Sequence, residues 1–299
     1  MFLESTIHCK GIALGFIYVF IVVIGITSVA YLAMLSARKG VSSFDLSFTM
    51  FLTAVILGCL LVLENAVPLS AYTIDLCFIA IVAGVGGSIA VFIFNHALRI
   101  GHFGFTNAIY RSSFLMPVVF GLLYFGLKLD IAYATGILAI LTSIFLISWS
   151  NDAFSKTQNN LKWFLLSVCA FTFSGLPRIG QLLVSQYRFN PLAYLFASYV
   201  CGFILLLFTL IIRRQRIKKE ALWYGTLASL ASYTGVYFTI EALKLLPASV
   251  VFPITLSTPV MLGMMISLLY RERIRWTGWF GIIIGIGGIL ILSFQTYQH

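Results

Sequence analysis

Two arginines stand where arginine is expensive. Arg111 lies about six residues into the apolar run 105–125, and Arg178 follows Pro177 within the run 161–184. On insertion scales an arginine at the centre of a membrane helix costs about 2.5 to 3.5 kcal/mol, whereas each Leu, Ile, Phe or Val returns only about 0.3 to 0.6. What such a residue offers is a planar, multi-donor cation suited to an anionic group. Asn107 shares the helical face of Arg111 at i−4, and Tyr110, Ser112 and Ser113 lie beside it in sequence. One reading makes this a cavity-facing site for an anionic group of a substrate. The other makes Arg111 a structural partner for carbonyls or a carboxylate, or lets it snorkel to the interface. Pro177 removes a backbone donor and predicts a kink that frees carbonyls near Arg178. Arg178 is also close enough to its helix end to snorkel.

Weaker candidates surround these two. His96 and Glu241 each precede an Ala-Leu pair, at matching places in the two halves of the chain. Either one suits proton coupling if partly desolvated, and either equally suits a polar position facing water near a helix end. Tyr233 and Tyr237 lie four apart on one helical face, each with a hydroxyl that needs a partner. Pro253 and Pro259 bracket Thr255, Ser257 and Thr258, which marks a helix that lines the path and flexes there, or one that merely bends. Gly281 and Gly285 have the small-xxx-small spacing that lets helices approach closely, and their counterparts Ala139 and Ser143 lie 142 residues earlier. The pattern predicts that the fifth and tenth helices pack together.

The elements that must hold these residues are membrane helices. The chain is 61% hydrophobic and 9% charged, with mean hydropathy +1.03; a water-soluble globule carries about 25% charged residues. Ten apolar runs are long enough to cross about 30 Å of hydrocarbon. They fall at 11–35, 44–63, 74–98, 105–125, 131–149, 161–184, 191–212, 221–245, 248–270 and 276–294. None alternates with period two, which argues against a β-barrel and for helices. The first is too long for a cleaved signal segment and reads as a retained helix. Connections are short and leave no room for a soluble domain. The five cysteines have no CxxC spacing, which argues against disulfides, a zinc site or any other metal.

The net charge of +10 follows the loops rather than gathering on one surface, which argues against nucleic acid as a partner. Loops after odd-numbered runs, with their flanks, hold thirteen basic residues, among them Arg38, Lys39, Arg99, Lys162, Lys218 and Arg273. The opposite side holds four: Lys10, Lys128, Arg188 and Lys244. By the positive-inside rule the odd loops are cytoplasmic and both termini lie outside.

The chain also repeats itself. Pro117, Gly121, Asp130, Thr135 and Gly136 recur 142 residues later as Pro259, Gly263, Glu272, Thr277 and Gly278. Ala97-Leu98-Arg99 recurs as Ala242-Leu243-Lys244, although the interval from Ala97 to Pro117 is three residues longer than that from Ala242 to Pro259. Five helices per unit is an odd number, so the second unit enters the membrane from the opposite side. The reading is an all-α membrane protein of ten transmembrane helices in two inverted five-helix repeats, at 1–150 and 161–299, joined by a loop at 151–160.

The second half carries a family resemblance. Glu241-Ala-Leu-Lys244, Pro247-Ala-Ser249, Ser257-Thr-Pro259-Val, Arg271-Glu-Arg273 and Thr277-Gly278, followed by a glycine-rich last helix, resemble the EamA-type unit of the drug/metabolite transporter superfamily. The first half is similar more loosely, with Asp130 where the family usually has Glu. The resemblance implies a multi-pass carrier of a bacterial inner (plasma) membrane, with a central cavity for small metabolites such as amino acids and no cofactor. It also implies cytoplasmic termini, against the charge count.

The function expected is therefore a secondary carrier or exporter working by alternating access, with a small molecule and the lipid bilayer as partners. A coupling proton or ion is a further candidate partner, and a monomer suffices. The alternatives are a carrier of phosphate-bearing or nucleotide-linked metabolites, which two membrane arginines suit, and a non-transport membrane subunit. Among enzyme signatures the apolar runs hold no aspartate pair, HExxH or GxSxG, and an enzyme is not expected.

Overall fold

The computed structural model describes residues 2–100, 106, 109–126, 130–151, 160–214, 217–269 and 276–298. Every regular element among them is helical. The α-helices with described bounds are α1 (Phe2–Arg38), α2 (Ser43–Glu64), α3 (Ile74–Ile100), α4 (Leu115–Phe125), α5 (Ile131–Asn151), α6 (Asn160–Gln186), α7 (Pro191–Arg213), α8 (Lys219–Leu243), α9 (Ala248–Leu269) and α10 (Trp276–Gln298). Short 3₁₀ turns lie at Leu69–Ala71 and Ser112–Phe114.

The helices start and stop for local reasons. Ser42 caps α2 by accepting from the Asp45 amide at 3.0 Å, and Asn190 caps α7 by accepting from the Leu192 and Ala193 amides, with Pro191 at the first helical position. Gly126 closes α4 at φ +63°, where a side chain would be strained.

Two expectations from the sequence need adjustment. Helix α1 begins at Phe2 rather than near residue 11, because hydropathy marks the membrane span and not the whole helix. The fourth run is not one uninterrupted α-helix, since Ser112–Phe114 tightens into a 3₁₀ turn before α4. Pro117 has no amide for the carbonyl of Ser113 and its ring crowds that carbonyl, so the chain re-enters α-helix with the proline in the first turn. Among the described residues, six helices are long and apolar enough to cross a membrane by length and composition: Gly11–Ser36, Ser43–Glu64, Ile74–Phe94, Leu161–Gln186, Pro191–Arg213 and Trp276–Phe294. Shorter apolar stretches lie at Ile109–Phe125, Ile131–Ile147 and Ala248–Leu262. Helix α8 falls outside both groups because Ser229, Ser232, Thr234 and Thr239 dilute its apolar residues; it packs against α1, α2 and α6.

The helix pairs form a regular pattern. Helix α1 packs on α8 and α3 on α6; α2 packs on α8 and α3 on α7; α1 packs on α9 and α4 on α6. Exchanging the first five helices with the last five turns each of these pairs into its companion. The pairs α2–α7, α4–α9 and α5–α10 map onto themselves.

The α5–α10 seam is tight. A Cβ at Gly281 would lie 2.8 Å from Ile147 Cγ1 and 3.1 Å from the Ile147 backbone nitrogen. One at Gly285 would meet Ser143 and Met261, and one at Gly288 would lie 3.0 Å from the Gly136 carbonyl oxygen and 3.1 Å from Ala139 Cβ. Elsewhere hydroxyls join the halves: Thr49 Oγ1 donates to the Ala221 carbonyl at 2.9 Å, and Thr53 and Thr226 share a hydrogen bond of 3.3 Å.

The bundle's two ends differ. At one, Lys218 Nζ donates to the Gly40 carbonyl at 2.5 Å, joining the α7–α8 connector to the α1–α2 turn. Nearby, the Arg213 guanidinium lies 5.9 Å from the Phe44 ring centre and 4.9 Å from that of Phe92, so the end of α7 is held between α2 and α3. At the other end, Leu61, Val67 and Tyr72 pack with Phe189 and Leu192 around an apolar core. Burial pushes the Tyr72 phenol above its ordinary pKa, and the hydrogen bond shared with Tyr124 does the same for Tyr187.

Candidate functional site

A cavity of about 490 Å³ lies inside the bundle, within the size range of small-molecule sites. Its wall is built from α1, α2, α3, the segment before α4, and α6 to α9. It reaches the bundle end at exposed Ser43. The Leu61–Val67–Tyr72 cluster packs the opposite end.

Polar side chains reach the cavity as stripes on otherwise apolar helices. On α6 the stripe is Ser174, Arg178 and Gln181, at i, i+4 and i+7. On α8 it is Ser229, Ser232 and Thr239. Helix α7 contributes Tyr194, Ser198 and Tyr199, and the segment before α4 contributes Tyr110 and Arg111.

A chain of hydroxyls fixes the arginine-bearing segment against α6. Ser174 Oγ donates to Ser113 Oγ at 2.7 Å, and Ser113 Oγ donates to the Tyr110 carbonyl at 2.5 Å. The Tyr110 ring packs on Phe94 with centres 4.3 Å apart. Arg178 Nη1 donates to the carbonyl of Ser174 on its own helix. Helix α6 runs unbroken through Pro177, whose carbonyl accepts from the Tyr194 hydroxyl at 3.2 Å. Arg111 is differently placed: its Nε is buried and has no hydrogen-bond partner among the described residues. The Ser229 hydroxyl, on the opposite wall, has none either.

The structure thus brings Tyr110, Arg111 and Arg178 together on one cavity and places the other described binding and coupling candidates away from its wall. Tyr233 is buried behind it, its ring stacked at 5.6 Å on cavity-lining Tyr199. Tyr237 packs edge-on against Phe238, and Ser257 lies in the core with its hydroxyl unpartnered. Glu241 forms an ion pair with Lys244 at 2.6 Å in the last turn of α8. His96 is exposed and lines a separate hollow of about 120 Å³ with Arg213. Asn107 lies outside the described residues. Gln181, Tyr194, Tyr199 and the α8 stripe were not singled out from the sequence; the i, i+4, i+7 spacing from Ser174 was the signal available for Gln181.

Two guanidiniums, several hydroxyls and one amide make a surface for binding polar groups. The fold and cavity define a multi-pass helical membrane protein with an internal binding space. Residues 161–294 match the model of the EamA-like transporter family, which belongs to the drug/metabolite transporter superfamily. No curated protein matches the chain. A solved structure described only as a crystal structure of a protein is similar in fold, with a TM-score of 0.75 at 14% identity, over 93% of this chain and 98% of that one.

Proposed function

We propose that the protein is a secondary carrier that moves a small metabolite by alternating access around the cavity holding Arg111 and Arg178. The observation that carries this is the cavity itself, walled by helices of both halves and bearing membrane arginines. The exchange of helix pairs between the first and last five supports two inverted repeats about one site. Amino acids or their derivatives are the first substrate class and phosphate-bearing metabolites the second, favoured by the two guanidiniums.

On this reading Tyr110, Arg111 and Arg178 touch substrate, while Tyr233 supports Tyr199 from behind. Proton coupling through Glu241 or His96 would act from outside the cavity wall. The protein sits in a bacterial inner membrane with its Gly40–Lys218 end in the cytoplasm, which makes the shape described here inward-facing. Reconstitution into liposomes tests the function: a carrier gives saturable uptake and counterflow, and a non-saturating leak or no flux with any bound ligand rejects it. Protease accessibility of a tag at His299 tests the orientation, with an external tag expected.

A further inference from the structure

We infer that the cavity selects an organic anion with an apolar body and no ammonium group. The inference rests on the cavity being the substrate site proposed above, and it narrows that proposal by excluding free amino acids. The described wall contains Arg111 and Arg178 but no Asp or Glu. The described acidic side chains that carry burial assignments, Asp45, Glu64, Asp75, Asp130, Glu220 and Glu241, all sit in terminal helix turns or connectors. The positive charge of the wall therefore has no carboxylate to answer it among the described lining residues.

The hydrogen-bond inventory points the same way. Arg178 turns one donor back to Ser174, whereas Arg111 keeps a buried, unpartnered Nε, and Ser229 brings an unpartnered hydroxyl from across the space. An anionic head supplies the acceptors these donors lack and relieves the repulsion between two like charges in a poorly solvated place. The rest of the wall includes Val91, Phe94, Leu195, Val236, Phe252 and Leu256, which suit an apolar body. A free amino acid would add a third positive charge and offer it only hydroxyls, one amide and backbone carbonyls. An aryl carboxylate and an aryl phosphate share the favoured chemistry.

The test uses the full chain in lipid nanodiscs with four probes: N-acetyl-phenylalanine, phenyl phosphate, phenylalanine and phenethylamine. Binding is read from the rise in melting temperature with probe concentration. At least one anion should bind, with the zwitterion about tenfold weaker or worse and the amine not at all. Whichever anion binds tighter identifies the head group as carboxylate or phosphate. Arg111→Gln should weaken the anion by about 10- to 100-fold, and Arg111→Lys by less. Arg188→Gln, in the exposed α6–α7 turn, should leave binding unchanged.

The inference is overturned if phenylalanine or phenethylamine binds as well as the anions, if no anion binds, or if anion affinity survives in both Arg111→Gln and Arg178→Gln. Should the glutamine variants fail to fold, the ranking of the four probes on the wild-type protein decides alone. Counterflow in liposomes separates this from the carrier proposal. Selective anion binding without counterflow removes the carrier and keeps the selectivity. Counterflow of the zwitterion with anions excluded keeps the carrier and removes the selectivity.

Discussion

The α5–α10 seam and the cavity wall both contain small residues but use them differently. At the seam Gly281, Gly285 and Gly288 leave no space, and a Cβ on any of them would press on α5 or Met261. On the cavity wall the glycines divide: a Cβ at Gly84 would run into the Ser198 carbonyl, whereas one at Gly235 would meet nothing nearer than 3.8 Å. In a bilayer apolar helices gain little by leaving lipid for one another, so association depends on close packing and polar contacts. The seam uses the first. The wall uses the second: polar stripes on α6 and α8, tied at their edges by Ser174–Ser113 and Thr49–Ala221, hold helices together without filling the space between them.

If this division is right, changes at the seam should damage the fold, and changes on the wall should damage binding. The largest effect is expected for Gly281→Leu combined with Gly285→Leu, where each overpacked site costs about 1 to 3 kcal/mol or more. Size-exclusion yield and melting temperature should both fall, and an unchanged melt would show that the seam is not tight. Arg111→Gln comes next, with flux of the best-bound probe reduced at least about tenfold while the melting temperature without ligand stays near wild type. A melt as depressed as that of the leucine pair would make Arg111 a strut and erase the contrast.

Tyr199→Phe should do less, because it removes one hydroxyl contact of 3.2 Å to Ser232 and keeps the ring stacked on Tyr233. The expected loss is about 0.5 to 1.5 kcal/mol, read from thermal melts. Ser143→Ala should do least. The Ser143 hydroxyl faces Gly285 without a hydrogen-bond partner, so removing it should leave the melt unchanged or slightly raised; a clear drop would reveal a polar contact across the seam.

Helix class and membrane residence were readable in the sequence because hydropathy is a sum over about 20 residues and tolerates local irregularity. The same averaging hid the 3₁₀ turn at Ser112–Phe114, a local irregularity just before Pro117. At the site, Arg111 and Arg178 stood out because their insertion cost is large against that of any neighbour. Tyr194 and Tyr199 did not, since a tyrosine is at home in a membrane helix and only its hydrogen-bond partner, Pro177 or Ser232, shows where it points. Tyr233 and Tyr237 share a helical face by spacing, yet that face looks into protein, because periodicity reports a direction and not what lies along it.

The unanswered positive charge of the cavity wall has an electrical consequence. When alternating access moves the permeability barrier from one side of a site to the other, the charges at that site change the potential they experience, even if they hardly move. Each full charge carried through the whole field is worth about 2.3 kcal/mol per 100 mV. An empty site with two arginines would therefore be held toward the negative, cytoplasmic side twice as strongly as one loaded with a monoanion. For the carrier proposed above, outward reorientation of the empty site should then be the voltage-sensitive step, and liposomes clamped with a potassium gradient should show counterflow that depends less on voltage than net flux does.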